Sequence, residues 1–262
     1  MNSIKYTIID DFISLDFANK LIKEANEIDQ DSFVKIHGNR LFLSSSSQEL
    51  QNLISNSQTW KQLFLKINSQ EFLNLCCLKL GIDNKNFKKV DFFNINKQQS
   101  SGKKIIKELS IKQIIKYLFT KFYKRLIKKI KFSKIFNLNK IPVELLFDYS
   151  IAGEGYYNEV HRDSDSRIIV FLLYLNKIDS NGGSLNFCEK SQNHNFKNIN
   201  TINPQPGRLV IFLNQDNSYH GVDVMKNTQN KRHFLYGAFT SLNHENPYIK
   251  NKGIKTEFNL YE

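Results

Sequence analysis

Apolar residues recur along this chain with two different periods, and the change from one to the other falls near residue 140. Before it, Leu15, Ala18, Leu21, Ile22 and Ala25 follow Ser14 at helical spacing, and Ser14 is a good N-cap. A second helical stretch, about 48–80, uses Leu50, Leu53, Ile54, Leu63, Phe64, Ile67, Leu75 and Leu78, with Gly81 as its terminator. Only Tyr6–Ile9 reads as a strand in this region. Beyond residue 140 the pattern becomes that of short strands, at 143–152, 168–175, 184–187, 208–213 and 233–239. Turn signals separate them at Gly153-Glu154-Gly155, Asn181-Gly182-Gly183 and Pro206-Gly207. All four prolines and eight of the eleven glycines lie after Lys140. Several short antiparallel strands predict a sandwich, jelly roll or barrel.

Charge changes the picture of one segment. The chain has 262 residues with 37 Lys+Arg against 25 Asp+Glu, a net +12. Residues 103–140 hold thirteen bases and one acid, Glu108, so this segment carries the whole excess and the remainder is balanced. Its lysines interleave with Ile111, Ile115, Leu118, Phe122, Leu126 and Ile130, one apolar stripe between basic faces. That predicts a basic amphipathic helix or helical pair. Three readings stay open for it: a solvated face on a packed helix, a dock for an anionic membrane surface, or a nucleic-acid site, against which its lysine-rich make-up with a single arginine counts.

Composition excludes other classes. Hydrophobic residues at 40% and charged ones at 24% are ordinary for a globular chain and argue against wholesale disorder. No uncharged apolar run reaches the roughly 18 residues of a membrane span. The N-terminus lacks the apolar stretch and small-residue cleavage site of a secretory leader. Cys76, Cys77 and Cys188 form neither a disulfide framework nor a CxxC zinc pattern and read as buried thiols. A cytoplasmic protein is expected, peripheral to a membrane if the basic segment docks there.

The chemistry-bearing signal is His161-Arg162-Asp163. In extended backbone, residues two apart share a face, so His161 and Asp163 can converge on one ion. His220, at the end of a strand-and-turn unit, is the best candidate for a third ligand. Two histidines and one carboxylate suit non-haem Fe(II) and leave coordination positions open. Asp165 is a weaker competitor for the carboxylate, four residues from His161 in a polar loop. Arg162 and Arg167 alternate away from the metal. His233 reads as a strand-face residue and His194 as a loop residue, while His37 and His244 lack partner spacing.

Six ordered stretches extend this signal: 149–163, Arg167 with 171–176, 182–187, 206–212, 220–224 and 232–236. In order and spacing they resemble the Fe(II)/2-oxoglutarate-dependent dioxygenases, in particular the prolyl-4-hydroxylase-like branch. The opening Ile8-Ile9-Asp10-Asp11-Phe12-Ile13-Ser14 is similar to that family's N-terminal entry. The resemblance implies an α+β protein whose core is a double-stranded β-helix, or jelly roll, with N-terminal helices and a basic helical insertion. It also implies one domain over 1–262, with a helical N-terminal region at 1–100, the insertion at 101–140 and the jelly-roll core at 141–245. His161, Asp163 and His220 would be the iron ligands. Arg232 would hold the distal carboxylate of 2-oxoglutarate, for which a planar guanidinium is suited. Tyr174 would place its hydroxyl on the same carboxylate, and Tyr149 is a lesser candidate for the cosubstrate wall.

The implied reaction hydroxylates an organic substrate, small or polymer-attached, with Fe(II), 2-oxoglutarate and O2, releasing succinate and CO2. The competing expectations are a non-catalytic jelly-roll binding module and an adaptor working through 103–140. The chain departs from the family in three places. Twelve positions separate His220 from Arg232, more than usual, which keeps Lys231 as an alternative anchor. Val170 stands where relatives have threonine, and Ala238 where they often have an aromatic residue.

Overall fold

The computed structural model describes residues 4–36, 39–90, 140–191, 195–242 and 246–250. His37, His194, His244 and the basic segment, save Lys140, lie outside them. The order of elements is β1 (Tyr6–Ile9), α1 (Leu15–Ala25), β2 (Val34–Ile36), β3 (Arg40–Ser44), α2 (Gln48–Asn56), α3 (Gln58–Ile67), α4 (Gln70–Lys79) and β4 (Phe87–Lys89). After the basic segment come β5 (Ile141–Ala152), β6 (Asn158–His161), β7 (Arg167–Tyr174), β8 (Leu185–Lys190), β9 (Phe196–Ile202), β10 (Leu209–Leu213), β11 (Tyr219–Val222) and β12 (Arg232–Ser241).

The strands form two sheets. The larger runs β1-β10-β7-β12-β5-β3-β2, with β4 joining β5; the smaller runs β6-β11-β8-β9. Every pairing is antiparallel except β4 with β5, where Phe87 to Lys89 lie in register with Ile141 to Val143. The N-terminal region is therefore less helical than its sequence suggests, because four of its segments are strands of the main sheet. Among the described residues no helix is long and apolar enough to cross a membrane.

Serines explain why the long helical stretch is three helices. Ser47, Ser57 and Ser69 each accept a hydrogen bond from the backbone N–H three residues on, at 3.3 Å from Leu50, 3.0 Å from Trp60 and 3.0 Å from Phe72. Each occupies the N-cap position in extended backbone. Each cap satisfies a helix-end amide that has no partner within the helix, and so starts a new helix while the apolar spacing runs on.

Alternation along β5 and β12 divides the core in two. Phe147, Tyr149, Ile151, Leu235 and Phe239 face the helices, where fully buried Trp60 lies edge-on to Tyr149 at 5.3 Å. The opposite faces, with Ala152, Phe234 and Ala238, pack on Leu185, Phe187 and Val222 of the smaller sheet. Gly237 permits this layering, since a Cβ there would lie 2.1 Å from the ring of Phe171. The space between the sheets opens at one end into a cavity of about 140 Å³.

Candidate active site

Three ligand-bearing residues meet at the cavity. His161 ends β6, Asp163 follows in the turn to β7, and His220 sits on β11 directly opposite His161. Their ligand atoms all lie within 4.8 Å of one another. Close approach of β6 and β11 brings the imidazoles together; a Cβ at Gly221 would lie 2.9 Å from the Asn158 carbonyl oxygen. The ring centroids are 4.5 Å apart.

Hydrogen bonds aim each ligand. His161 Nδ1 lies 2.8 Å from the Glu159 carbonyl oxygen and His220 Nδ1 lies 3.0 Å from that of Ser218. A carbonyl only accepts, so both Nδ1 atoms carry the proton and both Nε2 lone pairs are left for an ion. Burial, with His161 alongside, lowers the His220 pKa to about 4, which keeps its imidazole neutral. Burial alone would raise the Asp163 carboxyl, but Arg167 and the two histidines outweigh it and hold the pKa at about 2. Its Oδ1 accepts from Arg167 and, at 3.1 Å, from the Tyr236 hydroxyl. Its Oδ2 is buried, accepts no hydrogen bond among the described residues and stands 3.5 Å from His220 Nε2. An orphaned anionic oxygen between two imidazole lone pairs fits a divalent cation, and the donor set is one for non-haem iron.

The turn that presents Asp163 is held from behind. Asn214 Nδ2 donates to the carbonyls of Asp163, Ser164 and Arg167 at 3.3, 2.8 and 2.9 Å. Asn246 Nδ2 donates to the Arg167 and Asn214 carbonyls at 2.7 and 2.9 Å. Arg162 points away from the triad and is buried against Asp165, 2.8 Å from its carboxylate. Asp165 is thus occupied elsewhere and does not belong to the metal cluster.

Arg232 is 1% exposed, and its side chain lies over the rings of Phe234, Tyr174 and Tyr156 at 4.6, 5.0 and 5.6 Å. Nη1 donates to the Gly183 carbonyl at 2.8 Å, Nη2 lies 3.4 Å from the Tyr174 hydroxyl, and Nε has no partner. No carboxylate of the described residues pairs with it. A buried guanidinium without an anion is costly, and this one faces the cavity. Lys231 is exposed, so the base at the cavity is Arg232. The long interval from His220 is taken up by the turn at Asn227 and Thr228, whose amides donate to the Glu154 carboxylate at 3.1 and 2.8 Å.

Tyr149 is not on the cavity. Strand parity puts it on the helix-facing side of β5, where its hydroxyl lies 2.7 Å from His233 Nδ1. Its expected place at the cosubstrate wall is not met. His233 itself faces the helices, as a strand-face residue should, and burial with Lys231 nearby lowers its pKa to about 4.

Among the cavity residues that escape the sequence reading, three bear on its chemistry. Tyr236 contacts Asp163. Arg40, on β3, donates through Nε and Nη2 to Ser150 Oγ at 3.1 and 2.8 Å. Asp148, on β5, is 4% exposed, and burial raises its carboxyl to a pKa of about 6 against the pull of Arg40 and Arg167.

Comparison with known proteins agrees with the motifs. Residues 146–239 match the family model of the 2OG-Fe(II) oxygenase superfamily, the family the sequence resembles. Fe(II), 2-oxoglutarate and O2 are the set that goes with that family. No curated protein sequence matches. Among solved structures, the chain is similar to a prolyl 4-hydroxylase from Phytophthora capsici, with 16% identity, a TM-score of 0.53 and coverage of 93% of this chain and 61% of that one. It is also similar to HygX from Streptomyces hygroscopicus, solved with nickel and 2-oxoglutarate bound, with 9% identity, a TM-score of 0.50 and coverage of 91% and 83%. A prolyl-4-hydroxylase from Pseudomonas putida aligns with 13% identity, a TM-score of 0.47 and coverage of 91% and 94%.

Proposed function

We propose that this chain, whose segment 146–239 matches the 2OG-Fe(II) oxygenases, is a 2-oxoglutarate-dependent hydroxylase built on a double-stranded β-helix of its two sheets. The observation that carries the reading is the pairing, in one cavity, of an orphaned carboxylate oxygen between two imidazoles with a buried guanidinium that has no anion.

His161, Asp163 and His220 would hold the iron, and Arg232 with Tyr174 would hold the distal carboxylate of 2-oxoglutarate. Together these cofactors supply the oxidative cleavage of the ketoacid to succinate and CO2, with one oxygen atom of O2 entering succinate and the other a substrate C–H bond. The protein supplies position and environment. The carbonyls of Glu159 and Ser218 fix the two imidazole tautomers, while Arg167 helps to keep Asp163 ionised and, with the Tyr236 hydroxyl, occupies one of its oxygens so that the other faces the ligand position. Phe212, Leu172 and Phe234 make the cavity wall apolar and limit water.

The test is succinate formation from 2-oxoglutarate by the purified full-length protein. It should require both added Fe(II) and O2 and disappear in His161→Ala with Asp163→Ala. Undiminished succinate from the double variant would sink the proposal. A non-catalytic binding module would leave the buried Asp163 and Arg232 without purpose, and failure to take up iron anaerobically would bring that reading back.

A further inference from the structure

The cavity carries charges that bear on the substrate, provided that the site is a 2-oxoglutarate-dependent hydroxylase, the reading on which this inference rests. Once the metal is set against Asp163 and the ketoacid against Arg232, the charged side chains left on the cavity are Arg40, Asp148, Arg162 and Arg167. Arg162 is paired with Asp165 and Arg167 with Asp163. Arg40 and Asp148 make no ion pair with any described residue. Asp148 is more than nine-tenths buried, and its Oδ1 has no hydrogen-bond partner. Such an atom calls for a donor that the protein does not provide.

The two groups are arranged as a pair of anchors. On β5, Asp148 and Ser150 share the cavity face, about 7 Å apart along the strand. Arg40 reaches across from β3 to Ser150 and lies over the rings of Phe42 and Phe234, at 5.7 and 5.3 Å from their centroids. Ser150 takes donors from Nε and Nη2, leaving Nη1 and the second hydrogen of Nη2 for an acceptor. Asp148 also sits close to the metal position. Its direct cross-strand partner is Tyr236, whose hydroxyl contacts Asp163. A molecule held by Asp148 is therefore two side chains from the reacting centre.

We propose that the substrate is a free α-amino acid, or a small molecule of the same chemistry, whose carboxylate is bound by Arg40 and whose ammonium is bound by Asp148. An α-amino acid carries an anion and a strong donor on one carbon, which matches a guanidinium and a carboxylate that line one cavity, neither of them in an ion pair with a described residue. Phe42 and Phe234 give its side chain an apolar wall beside the triad. A peptide bond would remove one of the two charges and strand the matching side chain in the cavity.

The experiment uses full-length protein loaded anaerobically with Fe(II) and 2-oxoglutarate, titrated calorimetrically with the twenty proteinogenic L-amino acids. Any that bind are then titrated as their N-acetyl and α-amide derivatives. At least one free amino acid should bind, and either cap should weaken it tenfold or more. Arg40→Gln should weaken the free acid similarly and erase the penalty for amidation; Asp148→Asn should do the same for acetylation. These matched losses form a cycle that a purely structural role of either residue would not reproduce. The capped ligands test the same contacts on the wild-type protein, whatever the variants do to folding. If loaded protein binds no free amino acid, or binds the doubly capped forms as well as the free ones, the proposal is overturned. If the wild type takes up no 2-oxoglutarate in the presence of metal, the hydroxylase reading fails first and the substrate proposal falls with it.

Discussion

At the scale of single residues, the site is a set of buried charges whose partners are partly missing. On the proposed reading Arg232→Gln removes the cation that meets the distal carboxylate, so 2-oxoglutarate affinity should fall by 30-fold or more, on the order of 2 kcal/mol for a buried charged contact. Titration of the ketoacid into metal-loaded variant and wild type reads this directly. The histidines make a separate prediction. His220 and His233 titrate near 4 in the fold against an ordinary 6.5. The unfolded chain therefore takes up protons first on acidification. Each of these histidines should cost the metal-free protein stability between about pH 6.5 and pH 4, on the order of 3 kcal/mol at most, while Asp148, raised to about 6, takes up its proton first in the fold and offsets part of that loss below pH 6. Urea midpoints against pH would show it, and His233→Asn should reduce the slope. A profile that His233→Asn leaves unchanged would mean that the His233 imidazole is not held neutral.

Legibility at this scale follows strand parity. His161 and Asp163, two apart, are readable as convergent, and Arg232 as sharing the face of Phe234 and Tyr236. Tyr149 is misplaced by the sequence reading although the signal is present. Phe147, Tyr149 and Ile151 alternate with Asp148 and Ser150, and a tyrosine among apolar neighbours belongs to the apolar side. Arg40 cannot be found this way. It reaches the cavity through β3 pairing with β5, more than a hundred residues on, and no local pattern records such a contact.

At the scale of elements, caps decide more than periodicity. Ser57 closes α2, caps α3 and donates to the Glu24 carboxylate. Ser57→Ala should cost about 1–2 kcal/mol, because the cap is lost and Glu24 keeps only Thr59 as a hydroxyl donor. Gly237→Val forces a side chain into the ring of Phe171 and should destabilise by more, with chemical denaturation ranking the two. The helical stretch is legible in extent but not in number, since the apolar spacing passes through Ser57 and Ser69 unbroken. The hairpin of β2 and β3 is missed because each strand is short, although Leu41, Leu43, Val34 and Ile36 alternate as strands do. Strands β6, β9 and β11 mix polar with apolar residues and give little apolar pattern.

At the scale of the whole molecule, the charge excess and the cavity lie on different stretches of the chain. The +12 belongs to 103–140, whereas the rest is balanced. Strands β4 and β5 pair in parallel, which requires a long connection, and the stretch of sequence between them includes this segment. The first residue of β5, Ile141, is seven residues before Asp148, about 23 Å along an extended strand. Protein lacking 103–140, sedimented with vesicles rich in acidic lipid, should stay in solution if the segment docks on membranes, while intact protein pellets. Equal pelleting removes the membrane reading of the segment.

The bracing of the metal turn by Asn214 and Asn246 sets how the site fills. Five hydrogen bonds from two side-chain amides fix the backbone that carries Asp163 before any ion arrives. Metal capture then involves no folding step. Mixing apoprotein with Fe(II) in a stopped-flow instrument should give a single phase whose rate rises linearly with metal concentration. Asn214→Ala should add a slower phase that no longer responds to it.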